Sequence, residues 1–177
     1  MTEERTCCFT GHRPGKLPWG WDEDDPRCQD LKGSIARELD GLYRRGYRHF
    51  LSGMAQGCDL YFAEAVLALR QARPDVTLEG AVPFPGQADR WPPQDRLRWR
   101  AVLDACDVET VVQQRYDRFC MLRRDRYLVD RSGCILAVFD GSPGGTRYTL
   151  NYAMNRQLEV LLLDLNRPQA SAVRLAL

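Results

Sequence analysis

The sequence predicts an α/β protein in which helices cover both faces of a mostly parallel sheet. Short apolar runs alternate with longer stretches of helical periodicity, and only a few residues connect them. The run Cys134–Phe139 is apolar at every position, as in a strand that is covered on both faces. Three glycine-bearing turns also follow predicted strands, at the edge where such sheets bind ligands.

The first half of the chain predicts three strands and two helices. Apolar runs predict the strands, at residues 6–10, 49–51 and 76–82. Apolar residues recur at helical spacing between 27 and 45 and again from Asp59 to near Pro74, since aspartate can cap a helix start and proline ends the pattern. The stretch 14–26, which is rich in tryptophan, proline and acidic residues, predicts an irregular loop.

The second half continues the alternation. Pro92 and Pro93 can open a helix that runs to about Cys106, because proline is tolerated in the first helical turn. Further strands are predicted at 108–112, 134–139 and 160–163, and further helices at 117–130 and 148–157. The tail from Asn166 is expected to fray.

Composition and charge are those of an ordinary globular protein. The 177 residues are most simply one domain, residues 1–177, with 44% apolar and 28% charged residues. A formal net charge of +1 gives no general attraction to nucleic acid or membranes, so neither partner is expected. No apolar run reaches membrane-spanning length, and the amino terminus lacks the pattern of a signal peptide.

The cysteines indicate a reducing compartment. Their number, seven, is odd, and no Cys-x-x-Cys pair occurs, so we expect neither a zinc site nor a disulfide framework. The sequence therefore predicts a cytoplasmic protein without a metal.

The turn with Gly144, Gly145 and Thr146 is the strongest candidate for binding phosphate. Successive glycines permit a nest of backbone N–H groups, and the Thr146 hydroxyl can donate to a phosphate oxygen. A flexible turn in which threonine caps the following helix is the alternative.

A second turn lies between Gly53 and Gly57, where Ser52 supplies a hydroxyl and Asp59 a carboxylate. Asp59 can accept hydrogen bonds from ribose hydroxyls, or it can cap its own helix. Glu64 is an acidic residue among aromatic and small apolar neighbours, which favours a role in the site, although a solvent-facing position on an amphipathic helix fits as well.

The first turn contains Gly11, His12 and Arg13. Arg13 can clamp a phosphate through its planar guanidinium, and His12 can donate or carry a proton near neutral pH. Both can instead hold the long acidic loop in place. His49, just before a strand, is expected to be structural.

Other aromatic and basic residues allow two interpretations. Stacking on a base and packing in the core are both open for three aromatic residues, Phe84, Trp91 and Tyr116. Arg123, Arg124 and Arg126 alternate with acidic residues and predict a solvated, salt-bridged helix face.

These segments, in this order, resemble the YpsA-like branch of the SLOG superfamily over residues 7 to about 163. The matching motifs are Thr10-Gly11-His12-Arg13-Pro14, Ser52-Gly53-Met54-Ala55-x-Gly57-x-Asp59 with Ala63-Glu64, Pro83-Phe84-Pro85-Gly86-Gln87, Arg90-Trp91, Tyr127-x-Val129-Asp130 and Asp140-Gly141-x-x-Gly144-Gly145-Thr146. Each motif alone is modest, whereas the ordered set is specific. The resemblance implies a Rossmann-like three-layer sandwich and a tendency to form homodimers, and it adds Met54, Pro83 and Asp140 to the candidate ligand-binding residues.

The superfamily includes sensors of nucleotide derivatives, cytokinin-activating phosphoribohydrolases and the DNA-processing protein DprA. We expect a module that binds a nucleotide or nucleotide-sugar, such as an ADP-ribose or NAD derivative, and acts in signalling or regulation. An enzyme that cleaves the N-glycosidic bond of a nucleotide is the alternative, with Glu64, Asp59 or Asp140 as acid or base. The phosphoribohydrolases carry a glutamate soon after their Gly-Gly-x-Gly-Thr turn, whereas in this chain the turn is followed by Arg147, Tyr148, Thr149 and Leu150. Single-stranded DNA binding in the manner of DprA is the second alternative, and the near-neutral charge speaks against it.

Overall fold

A computed structural model describes residues 5–167 and 173–175 of the chain. Seven strands form one sheet in the order β4-β3-β2-β1-β5-β6-β7, and all neighbouring pairs are parallel except β6 and β7. The strands are β1 (Thr6–Gly11), β2 (His49–Ser52), β3 (Thr77–Val82), β4 (Val108–Val111), β5 (Cys134–Phe139), β6 (Glu159–Asp164) and β7 (Val173–Leu175). The helices are α1 (Pro26–Arg44), α2 (Cys58–Ala72), α3 (Pro93–Ala105), α4 (Cys120–Asp130) and α5 (Gly145–Asn155), with a 3-10 turn at Pro14–Lys16.

The two faces of the sheet are covered by different helices. Successive residues of β1 belong to different apolar clusters, because side chains of a strand alternate between faces. Cys7 packs in the cluster that contains buried residues of α1, α2 and α3, and Cys8 packs in the cluster that contains those of α4 and α5. The predicted three-layer α/β fold is confirmed.

The strand order brings the candidate turns to one place. The chain proceeds outward from β1 to β4, then crosses back to place β5 on the other side of β1. The connections that leave β1 and β5 therefore diverge to opposite sides of the sheet, which opens a crevice at the carboxyl ends of these two strands. All three predicted turns follow strands at this edge.

The local sequence explains where three helices begin, and two of these starts differ from the prediction. The α1 helix begins at Pro26 because the Asp25 side chain accepts a hydrogen bond from the backbone N–H of Arg27, at 2.8 Å. Proline also opens α3, as predicted. The α4 helix begins at Cys120 and not near residue 117, since Asp117 holds the N–H of Phe119 in a preceding turn.

The carboxyl-terminal segment contains a strand that was not predicted. Val173–Leu175 pairs antiparallel with β6, so the expected fraying is wrong for these three residues. The rest of that expectation falls in part on residues 168–172 and 176–177, which lie outside the described residues. Within the described ranges, no helix is long and apolar enough to cross a membrane.

Candidate functional site

A cavity of about 270 Å³ lies at the carboxyl end of β1. Its walls come from the end of β1 and the following loop, the turn before α2, the α4 helix and the start of α5. The lining residues are Phe9, Thr10, Gly11, His12, Arg13, Gly15, Lys16, Ala55, Asp59, Met121, Leu122, Arg124, Asp125, Leu128, Gly145 and Thr146. The structure thus brings together residues from all three predicted turns, namely Gly11, His12, Arg13, Asp59, Gly145 and Thr146.

The first and third turns meet through a polar contact between His12 and Asp140. His12 is 3% exposed, and its Nε2 lies 2.8 Å from Oδ1 of Asp140. Hydrogen bonds from Ser142 and His12 hold the pKa of the Asp140 carboxyl well below its usual range. On the other side of the imidazole ring, Nδ1 lies 3.5 Å from the hydroxyl oxygen of Thr146.

The start of α5 opens on the cavity without a side-chain cap. Gly144 precedes the helix with φ of +142°, and no side chain among the described residues accepts a hydrogen bond from the first N–H groups. Thr146 is the second residue of the helix and does not cap it, because its hydroxyl faces His12 instead. Backbone N–H groups at such a position form an anion-binding site together with the helix dipole.

The second turn holds Asp59 in a buried position. The Oδ2 atom of Asp59 accepts a hydrogen bond from the N–H of Ala55 at 3.1 Å, and Oδ1 accepts none from the described residues. Burial raises the pKa of Asp59 to about 6, and the nearby charge of Arg124 partly opposes this shift. Asp59 does not cap α2, because the residue that precedes the helix is Gly57.

The other residues of this turn shape the backbone behind the cavity. Ser52 donates to the carbonyl of Asp59 at 3.0 Å and accepts from the N–H of Met54, which has φ of 60°. Gly57 has φ of +82°, and a Cβ there would lie 2.9 Å from the carbonyl oxygen of His12. The same oxygen accepts a hydrogen bond from the N–H of Cys58 at 3.2 Å, so the first and second turns are joined directly.

Arg124 corrects the prediction of a solvated arginine face. Arg124 is 5% exposed and lines the cavity. Its Nε donates to Asp125 at 2.7 Å and its Nη1 donates to the carbonyl of Gly53, whereas Nη2 has no hydrogen-bond partner among the described residues. A buried guanidinium with a free N–H donor can hydrogen-bond an anion or a hydroxyl oxygen of a ligand.

Two further cations stand at the mouth of the cavity. Arg13 is exposed, and its side chain makes no hydrogen bond or ion pair with the described part of the chain. Lys16 reaches across to the third turn, where its Nζ lies 3.4 Å from the Ser142 hydroxyl and contacts the carbonyl of Pro143. Positive charge therefore surrounds the open start of α5.

A model of the YspA SLOG family matches residues 7–164. The chain belongs to this family. One relative is the UPF0398 protein BH1768 of Halalkalibacterium halodurans. It is 30% identical over 130 residues, which make up 72% of this chain and 69% of the relative. The UPF0398 protein of Bacillus pumilus is 26% identical over 149 residues, or 82% of this chain and 80% of the relative.

Two solved structures share the SLOG fold. DNA processing protein A (DprA) from Streptococcus pneumoniae aligns with a TM-score of 0.58 at 15% identity over 90% of this chain. DprA from Helicobacter pylori aligns with a TM-score of 0.58 at 16% identity over 91% of it. The SLOG chain spans only half of the first structure and 65% of the second.

Three of the residues predicted for the SLOG site, Glu64, Pro83 and Phe84, lie away from the cavity lining and outside the three turns. Glu64 faces α3, where its two oxygens accept hydrogen bonds from Arg98 at 2.6 and 2.9 Å. Its acidic side chain among apolar neighbours reflects this ion pair, and Glu64 is not among the residues that line the cavity. Phe84 packs edge-on against Tyr116 with ring centroids 5.3 Å apart, and Pro83 is buried before it; neither lines the cavity.

Sequence reasoning missed two basic residues of the SLOG site. Lys16 lies in the segment that was predicted as an irregular loop, and no sequence pattern indicates that its side chain contacts Ser142 and Pro143. Arg124 had a usable signal, because Cys120, Arg124 and Leu128 recur every four residues and all three are buried. An arginine on the apolar stripe of a helix is expected to have a specific partner.

Proposed function

We propose that this SLOG protein binds a nucleotide or nucleotide-sugar of the ADP-ribose or NAD type in the cavity at the carboxyl end of β1. One observation carries the proposal: the uncapped start of α5 opens on a cavity that also holds the unpaired Arg13 and the buried Arg124. The phosphate group of such a ligand supplies the negative charge that pairs with these positive groups.

The arrangement assigns separate parts of the ligand to separate groups. A phosphate binds at Gly145 and Thr146, where backbone N–H groups are open and Arg13 and Lys16 are near. Asp59 has one carboxylate oxygen without a partner among the described residues, which suits a ribose hydroxyl. The proposed biological role is signalling or regulation in the cytoplasm through a second copy of the chain or another partner.

The experiment that tests this proposal is calorimetric titration of the protein with AMP, NAD and ADP-ribose, with release of the free base measured in parallel. We expect at least one ligand to bind, without turnover. Arg13→Ala should weaken the binding of phosphorylated ligands by roughly tenfold, which corresponds to the loss of one charge-assisted contact. Arg96→Ala, which removes an exposed arginine of α3 away from the cavity, is the matched control.

Each outcome has a definite meaning. Absence of binding for all three ligands contradicts the proposal. Binding followed by release of the base would mean that the protein is a hydrolase and not a binding module. Asp59 would then be the candidate acidic residue, since it lines the cavity.

Binding of single-stranded nucleic acid is a second candidate, because the loop between β4 and α4 exposes aromatic and basic side chains together. Tyr116 is 67% and Phe119 43% exposed, and the guanidinium of Arg118 lies 4.6 Å from the Phe119 ring. Stacked aromatic residues beside arginine are the usual platform for single strands. The Helicobacter pylori DprA structure is described as showing a single-stranded DNA binding mode.

A gel-shift assay with a single-stranded oligonucleotide tests this second candidate. Binding that weakens steeply with salt and is lost in Tyr116→Ala would support it. Binding that is equally weak in the wild-type protein and in this variant would reject it.

A further inference from the structure

The side chain of His12 lies between Asp140 and Thr146 in the wall of the cavity. The imidazole lies between the Asp140 carboxylate, at 2.8 Å from Nε2, and the Thr146 hydroxyl, at 3.5 Å from Nδ1. Only 3% of His12 and 7% of Thr146 are exposed, and both line the cavity. Among the described residues, the Thr146 hydroxyl has no other hydrogen-bond partner.

Asp140 determines which imidazole nitrogen carries the hydrogen. Because the pKa of Asp140 is held low by Ser142 and His12, its carboxylate is ionised at neutral pH and only accepts hydrogen bonds. Nε2–H of His12 is therefore the donor at 2.8 Å. The N–H of Asp140 also points at Nε2, but at 3.3 Å it is weaker than the charge-assisted bond. In the neutral ring the lone pair is on Nδ1 and faces Thr146.

We propose that His12 takes up one proton from solvent when a phosphate group binds at the start of α5, and so makes Thr146 a hydrogen-bond donor to that phosphate. With neutral His12, the Thr146 hydroxyl donates to Nδ1 and presents only lone pairs to the cavity. With protonated His12, Nδ1–H donates to the Thr146 oxygen, and the hydroxyl hydrogen turns to a phosphate oxygen. This inference rests on the proposed function, since it needs a phosphate at that place.

The charges around His12 favour this proton uptake once a phosphate is present. The neighbouring charged groups are Arg13 and Lys16 on the loop after β1, Asp59 on α2, Arg124 and Asp125 on α4, and Asp140 after β5. The guanidinium groups of Arg13 and Arg124 are charged with or without ligand. The phosphate adds negative charge next to the imidazole, and an added negative charge favours the protonated ring. Asp59 is the other group here that can take up a proton, so the test must separate the two.

Calorimetry with ADP-ribose provides that test, because its phosphates do not titrate near neutral pH. The binding enthalpy is measured in buffers of different ionisation enthalpy, and the slope of the plot counts the protons taken up. We expect a positive slope for the wild-type protein, for Asp59→Asn and for Thr146→Ser. We expect a slope near zero for His12→Gln. The slope for Thr146→Val should be smaller than the wild-type value, because valine cannot accept the Nδ1–H hydrogen bond that helps to stabilise the protonated ring. Uptake of one proton also implies that affinity falls about tenfold for each unit of rising pH.

The outcomes separate this inference from the proposed function. Binding of ADP-ribose by the wild-type protein with zero slope overturns the proton uptake and leaves the proposed function intact. A slope that disappears in Asp59→Asn assigns the proton to Asp59, and a full slope in Thr146→Val shows that Thr146 is not involved; either result overturns the inference. If AMP, NAD and ADP-ribose all fail to bind, both proposals are wrong.

Discussion

The guanidinium of Arg124 donates through Nη1 to the carbonyl oxygen of Gly53, which ties helix α4 to the turn that follows β2. The two residues belong to opposite layers, since Gly53 leads into α2 on one face of the sheet and Arg124 lies in α4 on the other. This bond joins the two layers next to the cavity, which Arg124 lines. The same arginine neutralises Asp125, so one side chain supports both the fold and the cavity.

Arg124→Ala is expected to destabilise the protein by about 3–5 kcal/mol, because it leaves the Asp125 charge buried without its partner. The measurement is urea denaturation. Arg126→Ala, two residues along the same helix and exposed, should cost less than about 1 kcal/mol. Equal losses in the two variants would show that Arg124 is not a buried structural charge.

Asp59→Asn should stabilise the protein above pH 6 and have little effect near pH 4. Burial raises the pKa of Asp59 to about 6 from an ordinary value of 3.8, so the folded state holds this proton more tightly than the unfolded state does. Protonated Asp59 therefore contributes to the stability of the folded state at low pH, and this contribution is lost as the pH rises through 6. The difference amounts to about 3 kcal/mol at most. Denaturation curves of both proteins at several pH values test the sign, and a constant difference would contradict it.

Gly145→Val is expected to reduce the affinity for phosphorylated ligands by more than about tenfold while leaving the folding free energy within about 0.5 kcal/mol. Gly145 lines the cavity, its φ is not positive, and an added Cβ meets no protein atom within 4 Å. The new side chain therefore competes with ligand and not with protein. Titration with ADP-ribose measures the effect, and unchanged affinity would remove the phosphate from this turn.

Gly57→Ala should lower stability by about 1–3 kcal/mol, because its φ is +82° and the added Cβ would lie 2.8 Å from Pro14 and 2.9 Å from the carbonyl of His12. Gly41→Ala is the matched control, since Gly41 lies within α1 with open space around it. The control should gain about 0.5–1 kcal/mol from helix propensity. Thermal denaturation of both variants measures the two effects, and a Gly57→Ala protein as stable as Gly41→Ala would contradict the steric argument.

The sequence predicted the layers and the location of the crevice because both depend on local patterns. Apolar runs and helical spacing are visible in neighbouring residues, and the glycine turns follow the strands directly. The contacts of long side chains depend on tertiary packing. Glu64 pairs with Arg98, thirty-four residues away, and Lys16 reaches Ser142 across the site, so neither contact could be deduced from spacing along the chain.

The crossover from β4 to β5 has a consequence for how the cavity can be studied. Arg13 and Asp59 precede it in the chain, whereas Thr146 follows it, and α4 is the crossover segment itself. Neither half of the polypeptide, expressed as a fragment, contains a complete cavity wall. Complementation of two separately produced halves would restore ligand recognition only through reassembly of the whole sheet.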